Sequence, residues 1–98
     1  MSTGNRSNVF MGRRTEQRSV KLLEADGYVC TRSAGSRGTW DIIGIRSTDV
    51  VLVQVKTRRW PKSQELRRLG QFQCPKGVRR IIHRWRAGQM EPDVRVVS

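Results

Sequence analysis

Of the chain's eight acidic residues, Asp41 lies within a predicted strand, where it opens the apolar run Ile42-Ile43-Gly44-Ile45. A carboxylate that enters a buried strand must be paired or must bind a cation. Further on, the apolar run Val50-Val51-Leu52-Val53 ends in Gln54-Val55-Lys56. The Asp41 carboxylate and the Gln54 amide oxygen are hard donors that suit Mg²⁺, with Mn²⁺ as a substitute, better than zinc, and the main-chain carbonyl of Val55 can add another oxygen. Beside such a centre Lys56 would orient or deprotonate an attacking water, or stabilise charge developing on a phosphate, while the cation polarises the phosphodiester. Glu16 is predicted to point the same way from an upstream helix and to reach the centre directly or through a water. The plainer assignment is an Asp41–Lys56 ion pair with Gln54 as an edge-strand polar residue. The remaining acids raise no such question. Asp26, Asp49, Glu91 and Asp93 fall in predicted turns, Glu24 lies near a helix end, and Glu65 sits on a helix where solvent is the expected neighbour.

These groups meet only if the intervening strands pair in one register. Residues 40–45 and 50–56 read as two strands joined by Arg46-Ser47-Thr48-Asp49, a natural hairpin connection. A four-residue loop pairs Ile45 with Val50 and sets Asp41 opposite Gln54, with Cβ atoms about 5 Å apart and Lys56 on the same face. A loop one residue longer or shorter turns Asp41 away from both. Upstream, residues 12–25 predict a helix with Glu16, Val20 and Leu23 on one stripe and Gly27 at its C-terminal cap. Residues 28–32 predict a short strand, and Ser33-Ala34-Gly35-Ser36-Arg37-Gly38 a loop that can approach a ligand closely. Downstream, residues 61–72 predict a second helix with Leu66 and Leu69 inward and Arg67 and Arg68 outward, and residues 78–85 and 94–97 two further strands. The order α-β-β-β-α-β-β implies an α/β domain with helices packed on a mixed sheet. Residues 1–11 read as a flexible basic arm, and residues 12–98 as a single domain.

Charge points to the partner. Twenty basic residues, sixteen of them arginine, against eight acidic ones give a formal net charge of +12. The planar guanidinium fork grips phosphate oxygens bidentately, which suits a nucleic-acid backbone better than membrane lipid. The arginine pairs 13–14, 58–59, 67–68 and 79–80 fall in different elements and describe a broad phosphate-gripping surface that reads shape rather than base sequence. Arg13, Arg14, Arg58 and Arg59 are candidate DNA contacts, as are Ser36 and Arg37 in the glycine-rich loop and Trp60 as a base-stacking residue. No stretch approaches the roughly 20 apolar residues of a membrane span, and residues 1–11 lack a secretory h-region. A cytoplasmic, nucleoid-associated protein is expected, in the host cytoplasm if the chain is viral. Cys30 and Cys74 read as reduced thiols, and the lone His83 as structural.

The pattern of a helical Glu16, a strand Asp41 and a strand-ending Gln54-Val55-Lys56 resembles the PD-(D/E)xK nuclease superfamily. Over roughly residues 12–72, Glu16, Arg32-Ser33-Ala34-Gly35-Ser36, Trp40-Asp41-Ile42-Ile43 and Val53-Gln54-Val55-Lys56 are together similar to the archaeal-type Holliday junction resolvases. The resemblance implies a restriction-endonuclease-like fold, active-site roles for Glu16, Arg32, Ser33, Asp41, Gln54 and Lys56, and a junction-DNA contact at Phe72. It further implies a Mg²⁺-dependent endodeoxyribonuclease, a homodimer, cutting Holliday junctions or other branched DNA. Gln54 stands where those resolvases usually carry Glu, Gln17 where an Arg commonly follows the helical Glu, and Trp40 where the superfamily is named for Pro. Gln-x-Lys variants occur within the superfamily, including VRR-Nuc-like nucleases of different structural specificity. The alternatives are a non-catalytic basic protein that coats DNA or RNA, and an RNA- or ribosome-associated protein.

Overall fold

One central strand serves two cores, and that division organises the molecule. The computed structural model describes residues 3–33 and 39–97, with side chains from residue 13 onward. Its elements run α1 (Thr3–Ala25), β1 (Val29–Arg32), β2 (Ile42–Ile45), β3 (Val50–Thr57), α2 (Ser63–Gln71), β4 (Arg79–Trp85) and β5 (Asp93–Val96). The five strands form one sheet in sequence order. Pairs β1–β2, β2–β3 and β4–β5 are antiparallel, whereas β3–β4 is parallel. A parallel pair needs a crossover connection, and α2 supplies it. The mixed sheet with flanking helices therefore appears in the expected order.

Successive residues of a strand point to opposite faces. From β3, Val51 and Val53 join Leu23, Tyr28, Ile42 and Ile81 in a core beneath α1, while Leu52 joins Trp40, Leu69, Ile82 and Val97 in a core beneath α2. Leu66 packs at the edge of the second core, and Arg67 and Arg68 are exposed. Gly44 is required where Tyr28 crosses β2, because a Cβ there would meet Val51 Cγ1 at 2.9 Å and the Tyr28 ring at 3.2 Å. Tyr28 in turn donates its hydroxyl hydrogen to Asp49, which also accepts from Arg46, so the α1–β1 turn is tied to the β2–β3 hairpin. The Tyr28 and Arg46 hydrogen bonds hold the Asp49 carboxyl down at about 2. No helix of the described residues is long and apolar enough to cross a membrane.

Two features of α1 differ from the sequence expectation. The helix opens at Thr3 rather than near residue 12, so the segment expected as an irregular arm continues it. That stretch holds no proline, and the missing apolar periodicity does not by itself forbid helix. At the other end the expected cap is present. Gly27 takes φ +94°, its N–H donates to the Glu24 carbonyl at 2.9 Å, and the Tyr28 N–H donates to the Leu23 carbonyl at 3.1 Å. These are the paired bonds of a Schellman motif.

The buried face of α1 is also more polar than its apolar stripe suggests. Thr15 and Ser19 are buried along with Leu23, while Glu16 and Val20 are half-buried. Ser19 earns its place through hydrogen bonds: its Oγ accepts from Trp85 Nε1 at 2.8 Å and shares a hydrogen bond with His83 Nδ1 at 3.0 Å. Burial holds the His83 imidazole down to about 4, so it is neutral at neutral pH and structural. Ser19→Ala would leave a buried indole N–H and a buried imidazole without their shared partner. The expected loss is about 1–3 kcal/mol, read as a lower midpoint in urea or thermal unfolding with unchanged secondary structure by circular dichroism.

Candidate active site

The predicted hairpin register is present: Ile45 pairs with Val50 and Ile42 with Val53. The ladder stops there, and Asp41 does not continue it as a residue directly opposite Gln54. Its N–H donates to the Val53 carbonyl at 3.0 Å, its carbonyl accepts from the Ser33 N–H at 2.9 Å, and its Oδ2 accepts from the Val55 N–H at 2.8 Å. Backbone groups of β3 and the end of β1 thus fix the acid from both sides. Val55 meets Asp41 through its N–H. Burial pushes the Asp41 carboxyl above the usual carboxylate range, and the Glu65 charge acts in the same direction. The Val55 N–H and the Lys56 ammonium oppose the rise without cancelling it.

Glu65 is the residue the sequence reading missed. Its Oε1 accepts from Gln54 Nε2 at 3.2 Å, and its carboxylate pairs with Lys56 Nζ, Oε2 at 3.2 Å and Oε1 at 3.4 Å. Glu65 was expected to face solvent, yet it is partly buried against β3, and the ion pair of Lys56 is with it rather than with Asp41. The signal was present in the helical period. Glu65 lies four residues before the buried Leu69 and beside Leu66, so it belongs to the inner edge of α2.

Glu16 joins from α1. Burial raises its carboxyl pKa, and the nearby Asp41 charge adds to the rise. Arg32 offsets part of this through an ion pair at 3.6 Å. Arg32 therefore holds the Glu16 carboxylate, and Ser33 contributes its main-chain N–H to the Asp41 carbonyl. Three carboxylates, Glu16, Asp41 and Glu65, consequently influence one another in a chain that carries +12 overall. Among the described residues, no group of three or more His, Cys, Asp or Glu side chains is gathered so that it could hold a metal ion unaided. The chemistry of the donors still fits a hard cation, because Gln54 Oε1 is buried without any hydrogen-bond partner.

The site opens onto basic surface. A cleft of about 300 Å³ is lined by Lys56, Thr57, Arg58, Arg59, Trp60, Lys62 and Glu65. Thr57 also borders a second cleft of about 350 Å³ that holds Arg14, Arg18 and Arg86. Arg58 adopts φ +76°, its N–H donates to the Trp85 carbonyl at 2.8 Å, and the Arg59 N–H donates to the Thr57 carbonyl at 2.9 Å, which turns the chain after Thr57. The Arg84 guanidinium covers one face of Trp60, 4.4 Å from the ring centroid, and is itself held by Asp93 at 2.6 Å. Phe72, 36% exposed, packs edge-on against Trp40 with centroids 5.7 Å apart. Arg80 closes the end of α2 by donating to the Gly70 and Phe72 carbonyls at 2.9 and 3.1 Å. Arg13 and Arg14 are exposed on α1. Ser36 and Arg37 lie outside the described residues.

No protein-family model and no curated protein sequence matches the chain. Among solved structures, the fold is similar to that of Archaeoglobus fulgidus Hjc, a Holliday junction resolvase from an archaeal hyperthermophile. The TM-score is 0.72 at 19% identity, covering 88% of this chain and 77% of that one. The restriction-endonuclease-like fold expected from the sequence is thus the fold observed.

The raised pKa of Asp41 has a measurable outcome. Because its folded-state pKa lies above the unfolded value, the carboxyl favours folding when protonated, and that contribution is lost as pH rises through the raised pKa. Asp41→Asn keeps an acceptor for the Val55 N–H and removes the buried charge. In metal-free protein it is expected to melt above wild type at neutral pH, with the gap closing as pH falls toward the carboxylate range; a lower melting point at neutral pH contradicts this account.

Proposed function

We propose that the chain is a metal-dependent endonuclease that hydrolyses DNA phosphodiesters, with branched DNA, Holliday junctions included, as its substrate. The observation that carries this reading is that Lys56 lies beside the half-buried Asp41 and the partnerless Gln54 oxygen while lining a cleft walled by Arg58, Arg59 and Lys62. A cleft of cations leading to a hard-oxygen donor set is what a phosphodiester needs if its backbone is to be held and one of its bonds cut. Asp41 and the Gln54 amide oxygen would hold Mg²⁺, or Mn²⁺ in its place. The Val55 carbonyl and Glu16, directly or through a water, would complete the set. When bound, the cation polarises the scissile phosphodiester and eases deprotonation of the attacking water.

The chain's own groups do the rest. Lys56 is positioned to place that water or to offset charge growing on the phosphate. Arg58 and Arg59 would hold the flanking backbone, and Arg13 and Arg14 would extend the grip across α1. Phe72, partly exposed, and Trp60, which lines the cleft, would offer edges or faces on which an unpaired base can stack. The choice of branched DNA rests on the likeness in fold to a Holliday junction resolvase. A homodimer is proposed as well. Val29 and Ile45 pair across β1 and β2, Ile43 lies two residues along the same face, and the three are 76%, 55% and 41% exposed. A contiguous apolar patch on so charged a chain marks a contact surface.

Two experiments test these statements. Purified protein with Mg²⁺ or Mn²⁺ is expected to nick junction or flap DNA in preference to linear duplex or RNA. Asp41→Ala should lower cleavage on the order of a hundredfold or more while binding persists. Binding without cut products from any substrate, or a clear preference for RNA, would reduce the chain to a nucleic-acid-coating protein. For the dimer, light scattering is expected to give twice the 11.3 kDa chain mass, falling to one chain in Ile45→Lys; a monomeric wild type removes the dimer.

A further inference from the structure

We propose that Glu65 is a positioning residue that fixes the orientation of the Gln54 amide, so that a neutral glutamine presents an oxygen, and only an oxygen, to the centre of the site. The geometry rests on hydrogen bonds alone; its consequence for a cation rests on the reading given under Proposed function. A primary amide is nearly symmetric in shape. Half a turn about its last torsion exchanges a carbonyl oxygen for an NH₂ group, that is, an acceptor for two donors. At a site built for a cation one orientation supplies a hard ligand and the other supplies partial positive charge. A glutamine at such a position works only if something selects between them.

Glu65 makes that selection. Gln54 Nε2 donates to Glu65 Oε1 at 3.2 Å, which leaves Gln54 Oε1 as the buried, partnerless end. In the flipped state two acceptor oxygens would face each other with no hydrogen between them, in a place where water replaces the lost bond only in part. Lys56 holds the selector in turn, since its Nζ bonds both Glu65 oxygens at 3.2 and 3.4 Å. Ammonium, carboxylate and amide thus form one chain. Its strand members, Gln54 and Lys56, share a face of β3 by their spacing of two, and α2 supplies the third.

The rest of α2 sharpens the case. Glu65 is the only acid between Asp49 and Glu91, and two arginines, Arg67 and Arg68, lie within three residues of it. Its ion pair is nonetheless made across to β3. An acid serving only to balance its own helix's charge would find a closer partner.

The same geometry turns an intuitive substitution into a conflict. Gln54→Glu adds a carboxylate to a hard-cation site, yet sets it against Glu65 with only Lys56 to share. The gain from the added charge is therefore expected only when Glu65 becomes Gln as well, which restores a donor–acceptor pair with the roles exchanged.

Five full-length proteins test this: wild type, E65A, E65Q, Q54E and Q54E/E65Q. In metal-free protein, the Gln54 side-chain NH₂ signals, assigned by their disappearance in Q54E, are expected to be shifted and slow to exchange. In E65A, which leaves no acceptor at position 65, they should move to the positions of exposed glutamines such as Gln17. Unmoved signals in E65A overturn the proposal whatever the protein binds. Mn²⁺ is then titrated without DNA and followed by electron paramagnetic resonance. E65A is expected to bind roughly tenfold or more weakly than wild type, the scale of a lost ligand-orienting partner. The double variant Q54E/E65Q should bind more tightly than the effects of Q54E and E65Q predict. Equal affinity of E65A and wild type, or strict additivity, overturns the functional half. A wild type that takes up no Mn²⁺ while the NH₂ signals move as expected refutes the metal site and leaves the amide's orientation standing. If E65A unfolds, Glu65→Asp, with the same charge and a shorter reach, is read by the same NH₂ signals.

Discussion

Burying a carboxylate at the mouth of a sheet is the constraint from which most of this structure follows. Water stabilises an ionised Asp far better than protein interior does, so Asp41 must be held by donors or it will move out or stay protonated. The chain answers with backbone. The Ser33, Val53 and Val55 main chains engage the carbonyl, N–H and carboxylate of Asp41, which requires β1 to end, β2 to begin and β3 to continue at one level of the sheet. Shifting the β2–β3 register by one residue would dissolve all of this at once. The Tyr28–Asp49 and Arg46–Asp49 bonds at the far end of the hairpin, together with Gly44 beneath Tyr28, pin that register from the other side.

The central strand shows how a small domain combines a core with a polar site. Along β3, Val51 and Val53 lie under α1, and Leu52 lies under α2. On the α2 side the apolar residues give way to Gln54 and Lys56, which meet Glu65 of α2. Glu65 stands in the first turn of α2, so the helix begins with the acid that serves the site and continues with Leu66 and Leu69, which serve the core. The same alternation places structural polarity on the α1 side, where Ser19 satisfies both His83 and Trp85.

What could be read from sequence was whatever depended on local period and turn length. The four-residue loop 46–49 gave the pairing of Ile45 with Val50, the type and order of the elements followed from hydrophobic runs and breakers, and Gly27 marked the end of α1. Asp41, Gln54 and Lys56 were named from their setting in those strands. Glu65 was lost because a half-buried acid on a helix edge looks like a solvated one until the partner strand is known to offer an amide and an ammonium. Asp41 was set directly opposite Gln54 because strand counting assumes a ladder that runs to its end, whereas this one stops at Ile42. Ser19 was invisible to a count of apolar residues. Arg80 and Arg84, read as general basic surface or not at all, are occupied by a helix end and by Asp93.

Charge ties these observations together. A chain at +12 has abundant long-range attraction for a polyanion, and attraction alone would bind phosphate anywhere on the surface. The proposed cleavage needs, in addition, a place where the field reverses over a short distance. Glu16, Asp41 and Glu65 make that place; burial raises the carboxyls of Glu16 and Asp41, with the Asp41 charge adding to the first and the Glu65 charge to the second. Arg32 and Lys56 are paired into the acids, while Arg58, Arg59 and Lys62 line the approach. Adding a fourth carboxylate at position 54 would deepen the repulsion among groups already short of solvent. A glutamine held by Glu65 instead contributes an oxygen dipole with no net charge, which is the form of donor that an already crowded cluster of acids can accept.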